Sequence, residues 1–492
     1  MKKFLVAIDQ GTTSSRAILF SLSGKPIYTS QKEFTQYFPK DGWVEHNPNE
    51  IWNTTRKVLT DVIAKSKKLK VKILTIGITN QRETTILWDK KTGKHVYNAI
   101  VWQDRRTAEF CKKYRTTKKE KIINKNTGLL IDPYFSGTKI KWILENIHKA
   151  KKLAKNNQLL FGTVDTFLIW KLTKGKIHAT DATNASRTML FNINKNKWDK
   201  DILRSLKIPK NILPEVKNSS DDFGYTNSSI TGTSYPINGV VGDQQAAAIG
   251  QSCFKSGSVK STYGTGAFII MNTGNKKIYS KNKLLTTICY RLNGKTTYAL
   301  EGSIFIAGAG VQWLRDKVKI IKHATETEKI VKKLKDNNGV YLVPAFTGLG
   351  APYWDPNARG IICGLTRDTN QNEIVRATLE SVAYQSYDLF NAMKNDGLKP
   401  NLIKVDGGMV RNKWFSQFLS DVINTKVIRP KVLETTALGA AFMAGLKIGI
   451  YKSLSDISKN WKIDQKFTPK LNKQKRSNLL KGWEQAIKKT LI

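Results

Sequence analysis

Long apolar runs are absent from this 492-residue sequence. None reaches the roughly 18 residues that cross a bilayer, so no integral membrane segment is expected. The start MKKFLVAIDQ imitates the basic region of a secretory signal, but its apolar stretch ends at Ile8, before Asp9. A signal peptide is therefore not expected. Cysteine is scarce: Cys111, Cys253, Cys289 and Cys363 lie far apart and form no CxxC. That excludes a disulfide frame or a zinc site and points to a reducing, cytoplasmic compartment. The five histidines (His46, His95, His148, His178, His323) fall in no chemically suggestive cluster, so no metal site is expected beyond a nucleotide-bound one. Neither a G-x-x-x-x-G-K-[ST] loop nor a GxSxG elbow occurs, which excludes a P-loop kinase and that type of hydrolase.

Acid is also in short supply, with 38 Asp and Glu against 82 Lys and Arg, a net charge of +44. Such a charge points to nucleic acid or an anionic surface. The lysines, however, are scattered along the whole chain rather than gathered on one motif. We read them as a solvated surface that attracts anionic ligands and holds nucleic acid only loosely, at low salt. No specific nucleic-acid partner is expected.

What is present is enough apolar material to fold, at 40% hydrophobic and 10% aromatic residues. The length exceeds one ordinary core and suggests two or three domains. Strand-like and helix-like runs alternate, which argues for an α/β fold. NPNEIWNTTRKVLTDVIAKSKKL has helical spacing at Ile51, Val58, Val62 and Ile63, with Asn47 or Asn49 as the cap. VKILTIGITN reads as a buried strand. SGTKIKWILENIH reads as a helix with Ile140, Ile143, Leu144 and Ile147 on one face.

AIDQGTTSSRAILF places an acid and a Gly/hydroxyl turn between two apolar runs. That predicts a β-hairpin. Glycine permits close backbone approach, and Thr and Ser add donors beside free turn N–H groups, a combination suited to phosphate. An ordinary hydroxyl-rich turn would have the same composition. Asp9, at the end of the first strand, can hold Mg²⁺ directly or through water. SGSVKSTYGTGAFIIMNTG repeats this grammar half a chain later, and IKVDGGMVRN adds a third Gly-rich turn after a strand. A duplicated domain closing over one ligand explains the repeat. The junction is expected near Gly250–Gly257, giving domains over 1–250 and 251–492.

This layout resembles the actin-like ATPase superfamily, in which two duplicated ribonuclease H-like domains clamp ATP. YFSGTKIKWILEN and GIICGLTRDTNQNEIVRATLE look like the two signatures of the FGGY family of carbohydrate kinases. NQRETTILWD, VWQDRR, GDQQAAAIGQ and YGTGAFIIMN look like its glycerol-phosphorylating members, and the similarity runs on to FTPKLN and GWEQAI near the end. The resemblance thus covers essentially the whole chain, with several motifs in order. It implies ATP- and Mg²⁺-dependent phosphorylation of glycerol to sn-glycerol 3-phosphate with release of ADP, the entry step of glycerol catabolism. It also implies a homo-oligomer, dimer or tetramer.

By the same resemblance, Thr12, Thr13, Ser14 and Arg16 contact phosphates, as does Thr265 from the second hairpin, and Asp9 lies by Mg²⁺. Gly308, Gln312, Gly408 and Asn412 line the phosphate and adenosine side. A triol needs donors and acceptors for its hydroxyls and an apolar wall for its carbon edge, because a buried unpaired polar group costs about 1–3 kcal/mol. Arg82 only donates and ionised Glu83 only accepts, so together they can satisfy neighbouring hydroxyls. A salt-linked loop pair would look the same in sequence. Tyr134 can add a hydrogen bond, and Trp102 and Phe268 the wall, although aromatics are common core residues. Phosphoryl transfer needs a carboxylate to accept the hydroxyl proton. Asp243, after a strand and before an Ala-rich helix, fits that role, and the resemblance implies that it is the base and that Gln244 lies beside the substrate. Asp243 would equally make a helix N-cap. Asp9 is the other candidate acid.

One departure stands out. ITGTSYPING carries Ser234 where some bacterial relatives have an arginine for fructose 1,6-bisphosphate, and the missing guanidinium implies weak or absent inhibition by that effector. DDFGYTNSSITG also lacks the phosphorylatable histidine of other relatives. A pentulose or hexose kinase and an actin-like chaperone or filament ATPase are the competing readings. NQRET and VWQDRR argue against the first, and the polyol-binding set against the second.

Overall fold

The structure is a computed structural model that describes residues 1–355, 357–398 and 400–491. Two sheets organise it. The first contains β1 (Lys3–Gln10), β2 (Ser14–Ser21), β3 (Pro26–Glu33), β4 (Lys72–Asn80) and β5 (Ile237–Gly242), in the order β5-β4-β1-β2-β3. The first three strands run antiparallel in hairpins, and β4 and β5 join in parallel. The second contains β6 (Val259–Tyr263), β7 (Ala267–Gly274), β8 (Leu285–Leu292), β9 (Lys295–Ile304), β10 (Leu402–Asp406), β11 (Lys426–Pro430) and β12 (Ile463–Phe467). Its order is β8-β9-β7-β6-β10-β11-β12.

Without its edge strands β8 and β12, the second sheet has the plan of the first: an antiparallel three-strand unit flanked by two parallel strands. The duplication inferred from the two hairpins is therefore present in the topology, and the fold is α/β with two ribonuclease H-like domains. Both hydroxyl-rich hairpins form as expected, β1–β2 and β6–β7.

Side chains alternate along the strands, so each sheet buries two faces. On β1, Phe4, Val6 and Ile8 enter a core with Ile51, Val58, Leu59 and Val62 of α1 (Pro48–Lys68). Asn47 caps that helix by accepting from the Asn49 N–H at 2.9 Å, with Pro48 in the first turn. Leu5 and Ala7 face the other way, onto α2 (Asp243–Gly250) and α4 (Thr435–Lys447). The far face of the second sheet is covered by α3 (Gln371–Asn395), whose start is a capping box of Asn370 and Glu373.

Between the sheets lie α2 and α4. Ala246, Ala248 and Ile249 of α2 and Ala437, Ala440 and Ala441 of α4 share one core with Leu5 and Ile18 below and Ile270, Cys289 and Ala299 above. The two helices touch backbone to backbone. A Cβ on Gly439 would sit 1.9 Å from the Ala246 carbonyl oxygen, and one on Gly250 would sit 2.0 Å from that of Thr435. The expected division at residue 250 thus falls at the end of α2. Beyond it, α4 packs onto the first sheet as well as beneath the second.

Candidate active site

The two hairpin turns come together through Trp102, which bonds Thr12 beside the first and meets Phe268 beside the second. In the first, the Gly11 N–H donates to the Ser14 carbonyl at 2.9 Å, and the N–H groups of Thr12 and Thr13 have no acceptor among the described residues. In the second, the Gly264 N–H donates to the Gly266 carbonyl at 2.9 Å, and the N–H groups of Thr265 and Gly266 are equally open. Two turns with free N–H groups make an anion cradle. Behind the second turn, Gly308 opens the helix Gly308–Trp313, and its N–H donates to the Gly264 carbonyl at 2.9 Å. Only glycine fits there, since a Cβ would lie 2.6 Å from that same oxygen. Gln312 on that helix is exposed, and space beside Gly408 is open. Asn412 is already occupied: its Oδ1 accepts from the Phe415 N–H at 3.0 Å, capping Lys413–Ile423.

The remaining residues of the first turn are tied down. Arg16 pairs with Glu434, the residue before α4. Ser14 Oγ accepts from Gln31 of β3 at 3.0 Å. Thr12 Oγ1 accepts from the Trp102 indole N–H at 3.0 Å, which links the first turn to an aromatic wall. Trp102 stands edge-on to Tyr134 at 5.7 Å and to Phe268 at 5.9 Å between ring centroids. The three aromatics singled out from sequence therefore form one wall, drawn from both halves.

Beside that wall is a buried ionic cluster. Arg82 and Glu83 follow β4 and are both sequestered, with Glu83 at φ +61°. They are not chiefly partners of each other, the Arg82 Nε to Glu83 Oε1 distance being 3.9 Å. Arg82 instead donates through Nη1 and Nη2 to the two oxygens of Glu301, at 2.6 and 2.9 Å, and through Nη1 to Gln245 Oε1 at 3.1 Å. Glu83 accepts from Arg187 Nε at 2.6 Å. Arg187 Nη2 lies 3.0 Å from Glu301 Oε1 without an aligned hydrogen bond. Two cations and two anions thus alternate. Burial works to raise the Glu301 carboxyl, yet Arg187 and Arg82 outweigh it and hold it below the usual range. For Glu83, burial wins over the same two arginines and the carboxyl is raised.

Asp243 is the first residue of α2. Gly242, not Asp243, is the N-cap, so the capping role that the sequence also allowed is not filled. The Asp243 Oδ1 accepts from the Gln244 N–H at 2.7 Å and faces Arg82 Nε at 3.1 Å. The Gly242 N–H before it donates to Thr183 Oγ1 at 2.8 Å. Burial raises the Asp243 carboxyl against the pull of Arg82 and Lys260. Gln244 Oε1 accepts from Lys260 Nζ at 2.5 Å, which leaves its Nε2 free to donate.

The Asp9 carboxylate receives no hydrogen bond among the described residues. Burial pushes its carboxyl up to about 6, against Arg16 and helped by Glu434 and Asp243. Among the described residues no three His, Cys, Asp or Glu side chains are grouped to hold a metal by themselves. A carboxylate with no hydrogen-bond partner, at the end of the strand that leads into the open turn, is a group that fits Mg²⁺, which is typically bound by one or two carboxylates plus substrate phosphates.

Sequence reasoning missed Glu301, Arg187, Gln245, Glu434 and Lys260. One signal was visible: Glu301 interrupts the otherwise uncharged TTYALEGSIFIAGAG, and a lone acid in a buried strand needs a partner. The partner's identity was not legible, because Arg82 and Arg187 come from other segments.

The N-terminal domain of the FGGY family of carbohydrate kinases matches residues 4–250, and its C-terminal domain matches 259–448. Glycerol kinase 1 of Pseudomonas aeruginosa is 55% identical over 489 residues, 99% of each chain. Glycerol kinase of Clostridium beijerinckii is 56% identical over 492 residues, again 99% of each. Among solved structures, Plasmodium falciparum glycerol kinase with ADP superposes with TM-score 0.92 at 40% identity, covering 100% of this chain and 99% of that one. Gluconate kinase from Lactobacillus acidophilus superposes at 0.87 with 22% identity, a likeness of fold. With both domain models matched in order and relatives of this identity over the full length, the chain belongs to the FGGY family of carbohydrate kinases.

Proposed function

We infer that this chain transfers the γ-phosphoryl group of ATP to glycerol, forming sn-glycerol 3-phosphate and ADP. The carrying observation is the convergence of Asp243, Arg82 and Glu83 with the Trp102–Tyr134–Phe268 wall, between two phosphate-type turns. A small polyol fits this set: polar groups on one side for hydroxyls, rings on the other for the carbon edge. Asp243 keeps one oxygen on Arg82 and the Gln244 N–H and leaves Oδ2 for the primary hydroxyl. Its raised carboxyl suits a group that accepts a proton as the phosphorus–oxygen bond forms. Tyr134, Gln244 Nε2 and the free oxygen of Glu83 complete the hydroxyl partners.

Thr12, Thr13, Ser14, Arg16 and Thr265 hold the phosphates, and Gly308, Gln312, Gly408 and Asn412 the adenosine side. Asp9 would hold Mg²⁺, which when bound neutralises phosphate charge. We read residues 1–250 and 251–492 as the two clamping domains, closing together to exclude water. No helix among the described residues is long and apolar enough to cross a membrane. With four free cysteines, we place the enzyme in the cytoplasm, as a dimer or tetramer whose size sedimentation would measure.

The testing experiment is ADP release from Mg-ATP with glycerol, xylulose, gluconate, erythritol and no acceptor in parallel. Glycerol-dependent turnover well above the rest is expected. Turnover on a sugar would move the specificity and keep the mechanism. ATPase activity indifferent to every acceptor would overturn the reading.

A further inference from the structure

We propose that Glu301 is a positioning residue for the acceptor, and that the second half of the chain thereby sets the hydroxyl-binding geometry of the first. The proposal rests on the reading of Arg82, Glu83 and Asp243 as the acceptor's polar partners.

Donor counting carries it. A guanidinium has five N–H groups. On Arg82, Nε faces Asp243, Nη1 donates to Glu301 and Gln245, and Nη2 donates once to Glu301. A single Nη2 N–H remains. On Glu83, Arg187 occupies Oε1, leaving Oε2. On Asp243, Oδ1 takes both Arg82 Nε and the Gln244 N–H, leaving Oδ2. The ionic cluster therefore leaves one Arg82 N–H, Glu83 Oε2 and Asp243 Oδ2 unspoken for beside the aromatic wall, along with the Nη1 and Nη2 groups of Arg187, which make no hydrogen bond among the described residues. A molecule with adjacent hydroxyls is complementary to that set.

Glu301 keeps those groups apart. It lies on β9, at 0% exposure, and reaches across the cleft to both arginines of the first half. Without its charge, Arg82 has two other anions within reach: Glu83 at 3.9 Å and Asp243 at 3.1 Å. A guanidinium fork turned onto either would occupy an acceptor that the alcohol needs. Arg187 plays the matching part on the other side, since it holds Glu83 away from Arg82. Because Glu301 belongs to the second half, relative movement of the halves is felt at the hydroxyl partners as well as at the phosphates.

The test compares E301Q and R187K with wild type in steady-state kinetics, varying glycerol and Mg-ATP separately, with melting recorded for each protein. Positioning predicts that KM for glycerol rises about tenfold or more, the scale of one lost charge-assisted hydrogen bond. KM for ATP should stay within about twofold. A purely structural role would lower melting temperature and active fraction, and leave both KM values unchanged; that outcome overturns the proposal. E301Q leaves an uncompensated buried cation and is at risk of misfolding. R187K keeps the charge while losing the fork, so its result decides if E301Q does not accumulate folded. Absence of glycerol-dependent turnover in wild type would overturn the functional reading and this proposal with it. Wild-type turnover with unchanged variants overturns this proposal alone.

Discussion

Gly439→Ala is the perturbation that most directly probes how the fold holds its chemistry. Gly439 touches no proposed ligand. Its added Cβ would stand 1.9 Å from the Ala246 carbonyl oxygen, about 1 Å inside the 3.0 Å below which real Cβ contacts essentially never fall. The obstacle is helix backbone, so no side chain can swing aside. Relief requires α2 and α4 to separate by about 1 Å. Such overpacking costs about 1–3 kcal/mol, which lowers the melting temperature by roughly 2–12 °C in a domain of this size. Ala246 lies one turn from Asp243 on the same short helix, so the shift carries the proposed base with it. A misplacement of about 1 Å at a reacting group costs on the order of 10²-fold in rate. The assay is kcat with saturating glycerol and Mg-ATP, alongside thermal melting. Gly294→Ala is the control. That residue has φ +75° in the β8–β9 turn, and its Cβ would meet nothing within 4 Å. It should lose about 1 kcal/mol to left-handed strain and keep its kcat. Wild-type kcat in Gly439→Ala would refute the argument that the helix crossing holds Asp243 in place.

Asp243→Asn should cut kcat by about 10²- to 10⁴-fold with little change in glycerol KM, read in the same assay. Because burial raises the Asp243 carboxyl, and the base must be ionised, the acid limb of kcat/KM should lie above the usual carboxylate range of about 4; a limb at or below that value would contradict the assignment. Chelation by EDTA should abolish turnover and excess Mg²⁺ restore it, and Asp9→Asn should raise the Mg²⁺ concentration needed for half-maximal rate. Fructose 1,6-bisphosphate should inhibit weakly or not at all, since Ser234 in its exposed loop offers no guanidinium, and a dose–response curve with strong inhibition would refute this. Binding to a nonspecific DNA duplex should collapse as salt rises from 50 to 200 mM, as expected of scattered lysines; salt-resistant binding would point to a built interface.

Both hairpins were legible because a Gly/hydroxyl turn between apolar runs is a local pattern, and local patterns survive in sequence. The same holds for Asn47 as the cap of α1 and for the strand ending at Asn80. The candidate residues Arg82, Glu83, Asp243, Trp102, Tyr134 and Phe268 were nameable through their motifs. What sequence could not show is how they are wired. Arg82 looked like the partner of its neighbour Glu83 and instead chelates Glu301, more than 200 positions later. Asp243 looked like a cap and is held one residue further in, with Thr183 gripping the N–H before it. Asn412 was named for the nucleotide side, and the structure shows that its Oδ1 also caps a helix. The two Gly/hydroxyl hairpins, their repetition half a chain apart and the chemical types at the site were legible in sequence alone, since each rests on short local patterns. The pairing of the buried charges and the crossing of α2 with α4 were decided only by the tertiary structure. Both depend on distances between segments that share no local signal, and burial makes those distances decisive: an ion pair forms with whichever partner the packing delivers, and two helices approach as closely as their glycines allow.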